Sequence, residues 1–222
     1  MDWEQAIEIN RTALRRVVEQ LFALLELALD GPLRRLPPVL YSEAERLLTP
    51  AESALRRLIV IAARGLEVTL GPARPMPKDL VIAGNGVGRL SFALFDARKR
   101  FTADEPMQAI TAHVPRIHFF ETSPLVPQFQ QAPSAAPVTN LDASMLCRRY
   151  AALKYALETL PRQAKRLARW RLRRAKLENP KFTSPLRPGP PPGQRRKPRL
   201  EIDHVLRECH GLAFDALREE SS

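Results

Sequence analysis

Proline is placed so unevenly in this chain that it dictates where helix can run. Of 21 prolines in 222 residues, nine fall between 66 and 138 and seven between 179 and 199. Inside a helix a proline removes an amide donor and costs about 3 kcal/mol, which excludes both tracts from regular helix. Helix is left to 1–65, 139–178 and 201–222. The apolar content, 45%, is that of a folding chain, so these three stretches must supply most of the core. The expected fold class is mainly α: a helical hairpin or bundle with long proline-rich irregular segments and at most a small β-hairpin.

Periodicity and caps divide the stretches further. The N-terminal helical unit, 1–65, opens with a long helix over 2–30, where Asp2 and Gln5 have capping-box spacing and Ile7, Leu14, Val18, Leu21, Leu25 and Ala28 share a face. From Val17 onward few residues are polar, which predicts burial nearly all round. Ser42 with Glu45 predicts a short helix to Leu48. Thr49-Pro50-Ala51-Glu52 predicts another, from there to Gly65, with the proline in its first turn.

Residues 66–138 lose the helical period. They form an irregular proline-rich segment with short extended pieces, among them the alternation Leu90, Phe92, Leu94, and Asn85-Gly86 signals a hairpin near 79–95. Helix returns over 139–178, with Leu146, Tyr150, Leu153, Leu157 and Leu160 as a narrow seam and Pro161 as a break. Residues 179–200 read as a stiff Pro/Arg-rich linker. The acidic C-terminal segment, 201–222, carries a helix with Ile202, Leu206, Cys209, Ala213 and Ala216 on one side.

Charge follows the same partition. Residues 1–65 and 66–146 are each neutral, 147–200 carry +15 and 201–222 carry −4, giving +11 overall. Projected at 100° per residue, Arg162, Lys165, Arg166, Arg169, Arg173 and Lys176 fall in one arc of about 100°, with Trp170 at its flank. Six aligned cations can track phosphates, and a flanking Trp can stack on a base. Arg195, Arg196, Lys197 and Arg199 add a basic run in the following tail. These eleven residues are the candidate nucleic-acid contacts, to a partner that is a nucleic acid or another acidic macromolecule. Against this stands a solvated helix face, or one paired with the acidic residues of 201–220. Of the 35 basic residues 28 are Arg, as GC-rich codon usage produces, so their concentration in one segment weighs more than their number. The competing reading is a structural or adaptor protein that binds another protein through its helical seams.

Other chemistries find little support. No helix-turn-helix, zinc-finger or RNA-binding-sheet signature occurs, which leaves sequence-specific readout without a basis. Gly84-Asn85-Gly86-Val87-Gly88 brings its third glycine one residue early for a dinucleotide loop, and a strand-like run follows where a helix should start. His113 and His118 lie in an extended segment, while His204, Cys209 and His210 are spaced for different helix faces. Cys209 reads as a core residue and the histidines as surface ones, so neither a metal nor a cofactor is expected. No G-x-S-x-G elbow or readable carboxylate pair appears, and the chain is read as a non-enzyme. The basic amphipathic helix is too alanine-rich on its apolar side to favour a membrane surface. Two distant cysteines, no signal-peptide pattern and no apolar run near 20 residues read as a cytoplasmic protein.

The blocks LPRQAKRLARWRLRRAKLENPKFTSPLRPGPPPG, DHVLRECHGLAFDAL, PAESALRRLIVIAARGL and FALFDARKRF resemble a group of alphaproteobacterial hypothetical proteins. The resemblance extends over most of the chain and is most distinctive in the C-terminal block. It implies a cytoplasmic protein from a GC-rich genome and brings no activity or cofactor with it.

Overall fold

The computed structural model describes residues 2–26, 35–71, 91–96, 140–177 and 184–219. All lie in one of the chain's two compact units, the one made of Met1–Ala97 and Thr139–Ser222. The architecture is mainly α, as the proline map requires. Helix α1 spans Trp3–Glu26, and the Asp2 carboxylate accepts the Gln5 amide at 3.1 Å at its start. The expected extension to residue 30 lies outside the described residues. Leu14, Val17, Val18, Leu21 and Leu25 face inward, but the second half of α1 is not buried all round: Phe22 remains 48% exposed.

The two helices expected on either side of Thr49 are one, α2, Pro38–Ala62. The Ser42 hydroxyl does not cap a new helix; it donates back to the Val39 carbonyl at 2.8 Å, inside a helix already under way. Pro50 removes one amide from the ladder, yet the helix runs through it and buries its ring. From Ser53 to Ile61 every side chain is buried. The reason is position, since α2 touches each of the other four helices.

Leu141–Asp142 (β2) pairs antiparallel with Arg35–Leu36 (β1), Leu36 opposite Leu141. The expected helix start at 139 therefore moves to α3, Ser144–Glu158, where Asp142 Oδ1 accepts from the Ser144 amide at 2.9 Å. Thr159 separates α3 from α4, Leu160–Ala175, with Pro161 in the first turn of α4 as the break required. Arg149 joins α3 to α2 by a two-pronged bond to Glu52, Nε–Oε1 3.0 Å and Nη2–Oε2 3.2 Å. Helix α5 is Glu201–Glu219, and its expected apolar side, Ile202, Leu206, Cys209, Ala213 and Ala216, is buried. Asp203 reaches back to accept the Arg199 and Leu200 amides at 3.0 and 3.1 Å, which fixes where α5 begins.

The hairpin expected near 79–95 falls largely outside the described residues. Within 91–96, Phe92 and Leu94 are buried while Ser91 and Ala93 are exposed, the alternation read from the sequence. Guanidinium groups satisfy this segment's carbonyls: Arg166 donates to Phe92 O and Arg56 Nε to Ala93 O, each at 2.9 Å. The stiff Pro/Arg-rich linker expected over 179–200 is, over 184–200, a docked strap. Pro185, Leu186 and Pro191 are buried, the Arg187 amide donates to Asp96, and Gly193 lies directly against Pro50. Proline kept this segment out of helix without keeping it out of the core. No helix of the described residues is long and apolar enough to cross a membrane.

Candidate nucleic-acid interface

Leu160, Ala164, Leu167 and Ala168 are buried and fix the roll of α4 against the body. The arc on the other side is thereby turned to solvent: Arg162, Lys165, Arg166, Arg169, Arg173 and Lys176 are all exposed. Among the described residues none of the six pairs with a carboxylate. The acids of α5 are committed elsewhere, Glu201 to Arg16, Glu219 to Arg64, Asp215 to Arg218 and Asp203 to the cap of its own helix. Trp170 is half-buried; it meets the Phe95 ring edge-on at 4.8 Å and carries the Arg174 guanidinium 5.5 Å above its own ring. It is a packing residue first, with limited ring surface left for a base.

A groove of about 680 Å³ runs beside this face, between α4, Tyr155 of α3 and Ser91–Phe92. Arg162, Arg166 and Arg169 line it, and among the described residues no carboxylate does. Arg162 donates to the Tyr155 hydroxyl at 3.1 Å, and Arg166 holds the Phe92 carbonyl, so the wall and the floor position two of the three guanidinium groups. Gln163, 4% exposed, donates to Thr159 Oγ1 at 3.3 Å and keeps its carbonyl oxygen 3.5 Å from Arg166.

The second basic set is held separately. Arg196, Lys197 and Arg199 are exposed and Arg195 half-exposed. Their backbone is pinned by Gly193 against Pro50 at one end and by the Asp203 cap at the other, so the run is not a free tail.

Sequence reasoning missed a buried polar cluster. Arg57 of α2 is fully buried and pairs with Asp96, also fully buried, at 3.0 Å; it further donates to the Ser53 carbonyl at 2.8 Å and to His210 Nδ1 at 3.1 Å. Asp96 Oδ2 also accepts the Arg187 amide at 3.2 Å, so one carboxylate joins α2, the 91–96 segment and the strap. Burial pulls the Arg57 guanidinium below its ordinary value, with Asp96 opposing. Burial and the Arg57 charge likewise hold His210 below the usual histidine value, which leaves its ring neutral and able to accept at Nδ1. His210 is therefore not the surface residue expected. One signal was available, because Asp96 shares the parity of Phe92 and Leu94 and so belongs to the buried side. Nothing in the sequence names its partner.

Cys209 is a core residue as expected, its thiol pushed up to about 12, first by burial and then by the Glu208 charge. It donates to Asn10 Oδ1 at 3.3 Å, and Asn10 in turn donates to the Ala6 carbonyl at 2.9 Å and to Glu208 at 3.1 Å. His204 is exposed, and the described residues contain no group of three His, Cys, Asp or Glu side chains that could hold a metal ion. His113, His118 and the glycine loop at 84–88 lie outside the described residues. No family model matches the chain, and neither a curated protein nor a solved structure does.

Proposed function

We propose that this is a cytoplasmic, non-enzymatic protein that binds nucleic acid without sequence specificity, through phosphate contacts along the basic face of α4. The observation that supports it is the state of that face: six aligned cations turned outward, with no carboxylate partner among the described residues. Burying Leu160, Ala164 and Leu167 orients the cations, and exposed cations with no carboxylate beside them among the described residues are the form in which phosphate is bound.

Six phosphate contacts give a slope of log affinity against log salt of about −5 on duplex and about −4 on a single strand. Mobility shift of random-sequence DNA and RNA across a salt series measures it. Charge reversal at Arg162, Arg166, Arg169 and Arg173 should abolish the shift. An unaltered shift in that variant, or no binding by the unaltered protein at low salt, refutes the reading.

A second reading, an adaptor for another protein, has one observation behind it. Phe22 and Tyr150, ring centroids 6.5 Å apart, line a cleft of about 320 Å³ between α1 and α3. Co-purification that survives charge reversal on α4 but not Phe22→Ser would favour this second reading.

A further inference from the structure

The groove beside α4 has a chemistry that the exposed face alone does not. Its polar lining is dominated by donors. Arg162, Arg166 and Arg169 stand at positions i, i+4 and i+7, so they span about 10 Å along the helix axis. The Tyr155 hydroxyl already accepts from Arg162, which leaves its own proton to give. Arg166 spends one nitrogen on the Phe92 carbonyl and keeps further N–H groups. With no carboxylate among the described residues of the lining, the complement is a row of anionic oxygens, and guanidinium groups match phosphate oxygens in two-pronged geometry.

The shape restricts which phosphates can enter. To read the base edges of a duplex, a helix enters the major groove. The basic face of α4 is instead bordered by Ser91–Phe92, clamped on by Arg166, and by Tyr155 on the other helix. Such a border hinders insertion into a major groove, while a single phosphodiester strand can lie between Ser91–Phe92 and the helix. The volume, about 680 Å³, falls within the range of sites that enclose a small molecule and accommodates a short stretch of one strand.

We propose that this groove is a single-strand subsite, in which two nearby phosphates of one single-stranded nucleic acid seat on Arg162 and Arg169, with Arg166 and Tyr155 as positioning residues. The proposal rests on the nucleic-acid reading above and names the strand class it takes. Lys165, Arg173 and Lys176 lie outside the groove and add charge without adding shape.

Fluorescence anisotropy with a labelled oligonucleotide, on the full chain, compares three variants with the unaltered protein: R162Q/R169Q, K165Q/R173Q and Y155F. The two double variants remove the same charge. Single strand should bind at least about tenfold more tightly than duplex of equal length. R162Q/R169Q should erase that preference, while K165Q/R173Q weakens both strand classes alike. Y155F, which changes no charge, should weaken single-strand binding about threefold and leave the salt slope unaltered. Equal losses from the two double variants, or duplex bound as tightly as single strand, overturn the groove proposal and leave the wider reading standing. No binding of either strand class at low salt brings down both. Free adenosine monophosphate competing as well as the oligonucleotide, per phosphate, would also overturn it, by making the groove a small-ligand site. An unchanged urea midpoint in each variant shows that the fold is intact.

Discussion

Asp96→Asn is the substitution that tests most directly what holds the described unit together. Asparagine keeps the shape and one acceptor and removes the charge opposite Arg57. In the native chain the two side chains are fully buried and 3.0 Å apart. Removing one partner of such a pair leaves the other charge without water or counter-charge, at a cost of about 3–5 kcal/mol. Arg57 retains the Ser53 carbonyl at 2.8 Å and His210 at 3.1 Å, so the lower end, about 3 kcal/mol, is expected. With a urea slope of about 2 kcal/mol per molar, the midpoint should fall by about 1.5 M at unchanged slope. Arg57→Met alone should also destabilise, and Asp96→Asn added to it should cost less than it does alone, because the stranded Arg57 is gone and Arg56, 3.7 Å from the same carboxylate, keeps Glu52 at 3.5 Å. A midpoint shift under about 0.5 M, or the same cost in both backgrounds, would show that the pair is not what secures the 91–96 segment to α2.

Three further outcomes follow from the same region. His210 is held neutral below its ordinary value, so the unfolded chain binds the extra proton first; its stability contribution is complete above about pH 6.5 and is lost as pH falls toward the folded value. Urea midpoints at pH 7.5 and 5.0 should therefore separate more in the native chain than in His210→Gln, and an equal separation would refute the assignment. In native protein at pH 8 a thiol reagent should label half-buried Cys147 but reach Cys209, its thiol pushed up to about 12, only after unfolding; rapid reaction of both would contradict the packing around Asn10. Gly193 combines a φ of 81° with a would-be Cβ 2.7 Å from Pro50 N, whereas Gly189 has a φ of 80° and open space around it. Gly193→Ala should lower the melting temperature by several degrees, on a cost of about 1–3 kcal/mol, and Gly189→Ala by clearly less; equal effects would mean the strap is not seated on α2.

How far the sequence could be read depended on whether a residue's partner was local. The helices come from short-range signals: the period of Leu14, Val18, Leu21 and Leu25, the Asp2 cap, the break at Pro161 and the side of α5 carrying Leu206, Cys209 and Ala213. Each is settled within a turn or two, and each appears in the structure. The errors share the opposite property. Ser42 and Pro50 look like helix starts because a capping pattern is a statement about an isolated chain end. In the fold α2 is surrounded by four helices and gains enough burial to run through its proline. The strap at 184–200 looks like a spacer because proline reports only the absence of helix, while Pro185, Leu186 and Pro191 find their apolar surroundings far away in sequence.

The basic face divides along the same line. That six cations share an arc is a property of helical period alone; that the arc points outward depends on which side of α4 is buried, and Ala164 and Leu167 carried that information in the same helix. The groove could not be read, because its wall, Ser91–Phe92, belongs to a segment 75 residues upstream of Arg166–Leu167 and reaches α4 through a guanidinium-to-carbonyl bond. Such a bond needs no pattern in either stretch. The buried cluster is the limiting case. Arg57 sits in the run Ser53–Ile61 where an apolar residue would have served the core, and Asp96 sits at the buried parity of an extended segment. Each is a local anomaly, a charge where burial forbids one, and each makes sense only when joined to the other. A charged residue on the inward side of an otherwise apolar pattern is therefore evidence for a distant partner of opposite sign, and Arg57 and Asp96 are such a pair.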